Sequence, residues 1–261
     1  MASQAMGNEP VIVAHRGASG DAPENTIPAF KLAWEQGADA IEGDFHLTKD
    51  GQIVCIHDKD TKKVSGQKLM VRDTTLESLK KLDVGAYRGQ QFAGTRIPTI
   101  AEVFAIIPAK KKIYIEVKCG PEIIPALIQE IGRSGLANSQ VVVISFNKAV
   151  IKDFKLKSPK HKAYWLAGTK KEKDRPIAPS PRSVSETLKQ IGADGFSSNK
   201  NHIDESYVHT IKGLGHEYHV WTVNDVKAAE LFKEWGAGSI TTDYPGRIRK
   251  HLQGAQAPAA K

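Results

Sequence analysis

Two carboxylates lie two residues apart in the stretch IEGDFHLTKDGQIVCIHD (41–58), and the same stretch runs on to a histidine, His57. Side chains alternate faces along a strand, so Glu42 and Asp44 point the same way. Glu116 and Lys118 share a face in KIYIEVK (112–118) by the same rule. If the two strands are neighbours, about 4.8 Å apart, then Glu42, Asp44 and Glu116 meet within a few ångströms. Unpaired, they repel one another and their pKa values climb. A hard divalent cation relieves the repulsion, and all-oxygen ligation favours Mg²⁺ or Ca²⁺ over zinc. The alternative is that these acids pair with Arg16 and Lys118 as structural ion pairs; the third acid favours the metal.

His15 and His57 are the candidates for proton transfer. Two histidines flanking a metal suit a displacement in which one removes a proton from the nucleophile and the other protonates the leaving oxygen. Arg16 and Lys118 would then stabilise charge on a phosphoryl group. His46 shares the parity of Glu42 and Asp44 but is expected beyond the rim rather than among the ligands. Trp221 is either core or an apolar wall for substrate. Ser145 and Phe146, at the end of VVVISF, are candidate pocket residues. Asp243 is expected to hold a lysine or cap the last turn. Glu24-Asn25 in APENT is expected to cap or orient the first helix, and its loop position leaves a second role over the site equally open.

Converging strand ends would bring these residues together. Eight β-rich runs, VIVAH (11–15), DAIEGDF (39–45), KIYIEVK (112–118), VVVISF (141–146), KAYWLAG (162–168), GFSSN (195–199), YHVWTVN (218–224) and GSITTDY (238–244), alternate with amphipathic segments of helical length. The pattern predicts an α/β fold, a (β/α)₈ TIM barrel, with its site at the C-terminal strand ends. One run breaks the rhythm: IVCIH (53–57) follows DAIEGDF with only a turn at Asp50-Gly51, which predicts an antiparallel hairpin. Residues 59–98, with one short helix at TLESLKKL, then form a small inserted cap. A single domain over 9–251 is expected, with a mobile loop over 168–183 and a disordered tail over 252–261.

The 261 residues carry 37 Lys+Arg against 29 Asp+Glu, a formal net charge of +8, and two cysteines. Most lysines fall in stretches such as KLKSPKHK and TKKEKD, read as solvated surface, so no nucleic-acid partner is expected. No apolar stretch approaches a membrane span and no secretory signal opens the chain, so a cytoplasmic protein without membrane insertion is expected. Two cysteines give no disulfide framework. No GxGxxG or GxxxxGK[ST] follows a strand, which argues against a nucleotide site. Nothing here implies an oligomeric state.

HRG (15–17), PENT (23–26), E-x-D (42–44), LTKDG (47–51), HD (57–58), E-x-K (116–118), ISFN (144–147), VWTVN (220–224) and TDYP (242–245) together resemble the glycerophosphodiester phosphodiesterase family, in order and spacing, from about residue 11 to 250. The resemblance implies the same barrel with an insertion after HD. It implies a metal on Glu42, Asp44 and Glu116, His15 as general acid, and His57 as general base. Arg16 and Lys118 become phosphate-binding, and Trp221 a contact for glycerol. Gly43, where a bulkier residue is common, points away from the site. The implied reaction is metal-dependent hydrolysis of glycerophosphodiesters such as glycerophosphocholine or glycerophosphoethanolamine to sn-glycerol 3-phosphate and an alcohol. The alternatives are a lysophospholipase D-type or sphingomyelinase D-type enzyme on the same fold, and a catalytically silent anion-binding barrel. The former wants a wide apolar channel, for which 59–98 supplies no long apolar surface.

Overall fold

Eight of the β-rich runs hydrogen-bond side by side into a ring. The computed structural model describes residues 9–171, 173 and 177–254. Its strands are β1 (Val11–Ala14), β2 (Ala40–Leu47), β3 (Ile53–Cys55), β4 (Lys112–Val117), β5 (Val141–Ser145), β6 (Lys162–Ala167), β7 (Gly195–Asn199), β8 (Glu217–Trp221) and β9 (Ser239–Thr242). The order is β1-β9-β8-β7-β6-β5-β4-β2, and β1 pairs with β2, so the parallel strands close into a TIM barrel. The helices are α1 (Ile27–Glu35), α2 (Lys62–Ser65), α3 (Leu76–Leu79), α4 (Ile100–Phe104), α5 (Ile124–Arg133), α6 (Lys148–Lys157), α7 (Pro181–Ile191), α8 (Glu205–Gly213), α9 (Val226–Glu234) and α10 (Pro245–Gly254). Side-chain caps start most of the longer ones: Thr26, Asn147, Ser180, Asp204 and Asp225 each accept a first-turn backbone N–H.

Strand parity sorts the side chains into two layers. Val13, Ala40, Tyr114, Val142, Ile144, Tyr164 and Leu166 fill the barrel interior. The opposite parity, including Ile12, Ile41, Phe45, Ile113, Ile115 and Phe196, packs under the helices. Gly43 belongs to this outer set; a Cβ there would lie 3.0 Å from Cys55 Sγ and 3.2 Å from Phe30. The N-terminal end of the barrel is closed by polar groups: Tyr164 donates to Glu217 (2.9 Å), His219 Nδ1 meets Ser239 Oγ (2.8 Å), and the Tyr164 and His219 rings stack at 4.0 Å.

The hairpin forms as the Asp50-Gly51 signal predicts. β3 lies antiparallel on β2, with Phe45 opposite Cys55 and Leu47 opposite Ile53. Its turn closes through Gly51 N–H to Thr48 O (3.1 Å) with Gly51 at φ +74°, a left-handed position that glycine takes without penalty. Residues 59–98 fold on the hairpin around a small core of their own, Val54, Ile56, Val64, Val71, Leu79, Leu82, Val84 and Ile97.

Three details differ from expectation. TLESLKKL forms only the short α3, because Asp83 takes the N–H groups of Gly85, Ala86 and Gly94 and turns the chain away. A second short helix, α2, precedes it. Helix α10 continues to Gly254 and buries Leu252, so 252–254 are helical rather than a disordered tail; 255–261 lie outside the described residues. The loop expected over 168–183 contains paired backbone bonds between Lys170 and Ala178 (2.9 and 2.8 Å) and gives way to α7 at Pro181. Residues 172 and 174–176 lie outside the described residues.

Candidate active site

β2 runs between β1 and β4, with Asp44 opposite Glu116. That register brings together the acids which parity had put on one face. Glu42, Asp44 and Glu116 are buried and offer oxygens within 4.8 Å of one another. Glu42 accepts the Arg16 backbone N–H on Oε2 (2.8 Å), while its Oε1 is sealed from solvent with no partner. Burial, with Asp44 and Glu116 nearby, pushes the Glu42 carboxyl well above the usual range. Burial and Asp44 also raise Glu116, against Lys118. Asp44 goes the other way: burial would raise it, but Arg16, Lys118 and His57 outweigh burial and hold it low. A buried carboxylate oxygen without a partner costs on the order of 1–3 kcal/mol or more. A hard cation among three carboxylates removes that cost, so this donor set fits Mg²⁺ or Ca²⁺.

The local chain is shaped for these contacts. Arg16 sits at φ +54°, which aims its N–H at Glu42, and Gly17 follows at φ +79° with a virtual Cβ only 2.6 Å from the Ala29 backbone. Only glycine fits there. Asn25, at φ +59°, pins Asp44 twice: its Nδ2 donates to Oδ2 (2.8 Å) and its Oδ1 accepts the Asp44 N–H (3.0 Å). The expected cap role of Asn25 falls to its neighbour Thr26, whose hydroxyl accepts from Ala29. The signal for Asn25 was the left-handed tolerance of asparagine in a turn.

Cations complete the floor. Arg16 Nε lies 3.2 Å from Asp44 Oδ2 and its Nη1 donates to Glu24 (3.1 Å). Lys118 donates to Glu116 (2.7 Å) and approaches Asp44 (3.4 Å). Ion pairs of the expected kind thus exist for Asp44 and Glu116, yet they leave Glu42 Oε1 unsatisfied. Glu24 also holds Lys63 of α2 (2.7 Å), tying the cap to the site.

His15 and His57 both line the cleft above the acids, which measures ≈ 630 Å³ counted to its open mouth. His15 Nδ1 lies 2.7 Å from Asp243 Oδ1. This corrects the lysine-holding or capping role expected of Asp243. Burial would raise the Asp243 carboxyl, but His15, Asn224 and Ser19 bring it down to about 2. An ionised carboxylate only accepts, so His15 carries its proton on Nδ1 and keeps Nε2 for the cleft. Asp243→Asn should lower kcat by roughly 10²-fold, since a positioned proton donor contributes on this scale. KM and metal content should hardly change. Steady-state kinetics with metal analysis checks this, and an unchanged kcat would remove Asp243 from the machinery.

His57 Nδ1 lies 2.8 Å from Asp58 Oδ1. Burial, with Arg16 and Lys118 in support, lowers the His57 pKa despite Asp44. His46 stays outside the acid cluster and donates Nε2–H to the His57 carbonyl (3.2 Å), propping the hairpin end. Trp221 lines the cleft, donates to Ser197 O (3.3 Å) and meets Phe146 edge-on at 5.5 Å. Phe146 is 47% exposed, so the pair forms an apolar wall facing open space. Ser145, next to it, is buried and donates to Val117 O instead.

A model described as the glycerophosphoryl diester phosphodiesterase family matches residues 15–247. A glycerophosphodiester phosphodiesterase of Caldanaerobacter subterraneus subsp. tengcongensis is 45% identical over 154 residues, which span 57% of this chain and 63% of that protein. A Bacillus subtilis protein, provisionally named a glycerophosphodiester phosphodiesterase, is 35% identical over 249 residues, 92% of this chain and 96% of its own. An Oleispira antarctica phosphodiesterase, solved in complex with the product sn-glycerol-3-phosphate, superposes with a TM-score of 0.86 at 27% identity, covering 94% and 97% of the two chains.

Proposed function

This chain belongs to the glycerophosphoryl diester phosphodiesterase family, and from that premise we propose that its cleft hydrolyses glycerophosphodiesters, such as glycerophosphocholine and glycerophosphoethanolamine, to sn-glycerol 3-phosphate and the free alcohol. The observation that carries the metal-dependent form of this reading is the buried, unpartnered Glu42 Oε1 beneath two histidines and two cations. The product seen in the Oleispira protein supports the assignment of products.

In this reading Glu42, Asp44 and Glu116 hold Mg²⁺ or Ca²⁺. When bound, the cation supplies Lewis-acid charge against the phosphoryl oxygens. Arg16 and Lys118 neutralise the non-bridging oxygens and orient the diester. Trp221 and Phe146 pack against the glycerol carbons. His57, kept largely neutral near pH 7 by its lowered pKa, accepts the proton of the nucleophile through Nε2. That nucleophile is water, or the substrate's own 2-hydroxyl by way of a cyclic phosphate. His15, fixed through Nδ1 by Asp243, gives a proton from Nε2 to the departing alkoxide. One P–O bond forms, the P–O bond to the alcohol breaks, and the two histidines exchange protonation states; on the cyclic route water then adds to phosphorus and the P–O bond to the 2-oxygen breaks, with His15 accepting a proton and His57 returning one. We take 9–251 as one catalytic unit with 59–98 as its cap. We place it in the cytoplasm on its free thiols Cys55 and Cys119. Among the described residues no helix is long and apolar enough to cross a membrane.

The test is release of sn-glycerol 3-phosphate from glycerophosphocholine before and after EDTA treatment with dialysis. Loss of activity and its recovery with Mg²⁺ or Ca²⁺ are expected. Full activity after chelation would overturn the metal assignment, and release of phosphocholine would overturn the position of the cut.

A further inference from the structure

Lys118 has two faces. One lines the catalytic cleft; the other lines a neighbouring groove of ≈ 1070 Å³, counted to its open mouth, between the hairpin end, the cap and the loop after β4. Lys49, Lys59 and Arg72 also line this groove, His46 lies in its wall, and Glu122 is the one carboxylate among its described lining residues. Four cations therefore face one acid, and that acid is engaged by the Gly120 N–H (2.9 Å). Among the described residues Lys49 and Lys59 take part in no ion pair, and Arg72 reaches only the exposed Asp73, at 3.6 Å.

The groove cations ride on tied backbone. Lys49 N–H donates to Thr74 O (3.1 Å) and Val71 N–H donates to Lys59 O (3.0 Å), and Asp60 bridges Met70. The three segments that carry Lys49, Lys59 and Arg72 are thus fastened to one another, and the charges converge although each side chain is exposed. Clustered cations, of which Lys49 and Lys59 take part in no ion pair among the described residues, create a positive potential at the edge of a low-dielectric cleft that attracts anions.

We infer that this groove is a second anion subsite. It takes a further phosphate of a substrate whose first phosphodiester sits on Arg16, Lys118 and the carboxylate cluster, and so favours diesters that carry a second anionic phosphoryl group. The inference rests on the diesterase reading above and adds a substrate class to it. No new bond chemistry is involved: the second phosphate is held by Lys49, Lys59 and Arg72 while the first is cleaved.

Glycerophosphoglycerol and bis(glycerophospho)glycerol test the subsite, because the bond cleaved is the same and only the second anion differs. Two cleavable diesters give the larger compound a statistical factor of two in kcat/KM. The groove should raise the ratio at low salt to about tenfold, the combined scale of several exposed charge contacts. Added salt should erode it, as screening predicts. In the triple variant Lys49→Ala, Lys59→Ala, Arg72→Ala the ratio should fall towards two, with turnover of glycerophosphoglycerol unchanged; Lys49→Glu alone should lower it in the same direction. A wild-type ratio near two, or a raised ratio that the triple variant keeps, overturns the subsite. Absence of hydrolysis of glycerophosphoglycerol and glycerophosphocholine alike would instead overturn the diesterase reading, and the subsite with it.

Discussion

His57→Ala should lower kcat by about 10²-fold or more, within the usual 10²–10⁴-fold contribution of a positioned general base. The site is built so that this loss falls on chemistry rather than on folding. His57 ends the hairpin, 31% exposed, with its ring against Asp58 and only its carbonyl engaged by His46. Truncation therefore removes a proton acceptor without opening a core cavity. The pH profile is the second readout. Burial, aided by Arg16 and Lys118, lowers the His57 pKa, so the base form persists below the ordinary 6.5 of a histidine. The acid limb of wild-type kcat/KM should lie below that value, with activity falling as pH drops through it, and should disappear in the variant. His15→Ala should cost a similar factor while keeping the acid limb. Near-wild-type turnover in either variant would remove that histidine from the mechanism.

Glu42→Ala should abolish tight binding of divalent cation and with it nearly all turnover. Removing one of three carboxylates takes away the group that Asn25, Arg16 and Lys118 leave least satisfied. Glu42→Gln, which keeps the shape and the bond to the Arg16 N–H through its amide oxygen, should also lose metal affinity. Isothermal titration with Mg²⁺ and Ca²⁺ checks both. The apo protein offers a further sign. Glu42 lies buried and strained against Asp44 and Glu116, so Glu42→Gln should leave the metal-free protein as stable as wild type or more so. Unchanged metal affinity in both variants would overturn the ligand assignment.

Parity and the Asp50-Gly51 turn were enough to place Glu42, Asp44, Glu116, Lys118 and His57, because each of those inferences uses only a strand and its neighbour. The barrel followed from the regular alternation of runs. What escaped was long-range or fine-grained. The partner of His15 is Asp243, 228 residues away, and the two meet only because β1 pairs with β9. No local pattern marks that contact. Asn25 suits a cap by type, with a role over the site left open beside it; which of the two it takes depends on a left-handed backbone that lets it hold Asp44 while Thr26 does the capping. The length of α3 was set by competition from the Asp83 carboxylate, which propensity along TLESLKKL does not register.

The contact between His15 and Asp243 also bears on how activity is acquired during folding. Half of the site is local in sequence: β2, its turn and β3 bring Asp44 and His57 together within one short hairpin, a pairing of low contact order. The other half joins the two ends of the chain, and its loop-closure entropy is met only when β1 docks on β9. A partly folded chain with β2, β3 and β4 in place would already present its three carboxylates and its base, yet have no oriented acid. Recovery of turnover on refolding should therefore require closure of the ring, whereas recovery of cation binding should require only the docking of β2 on β4.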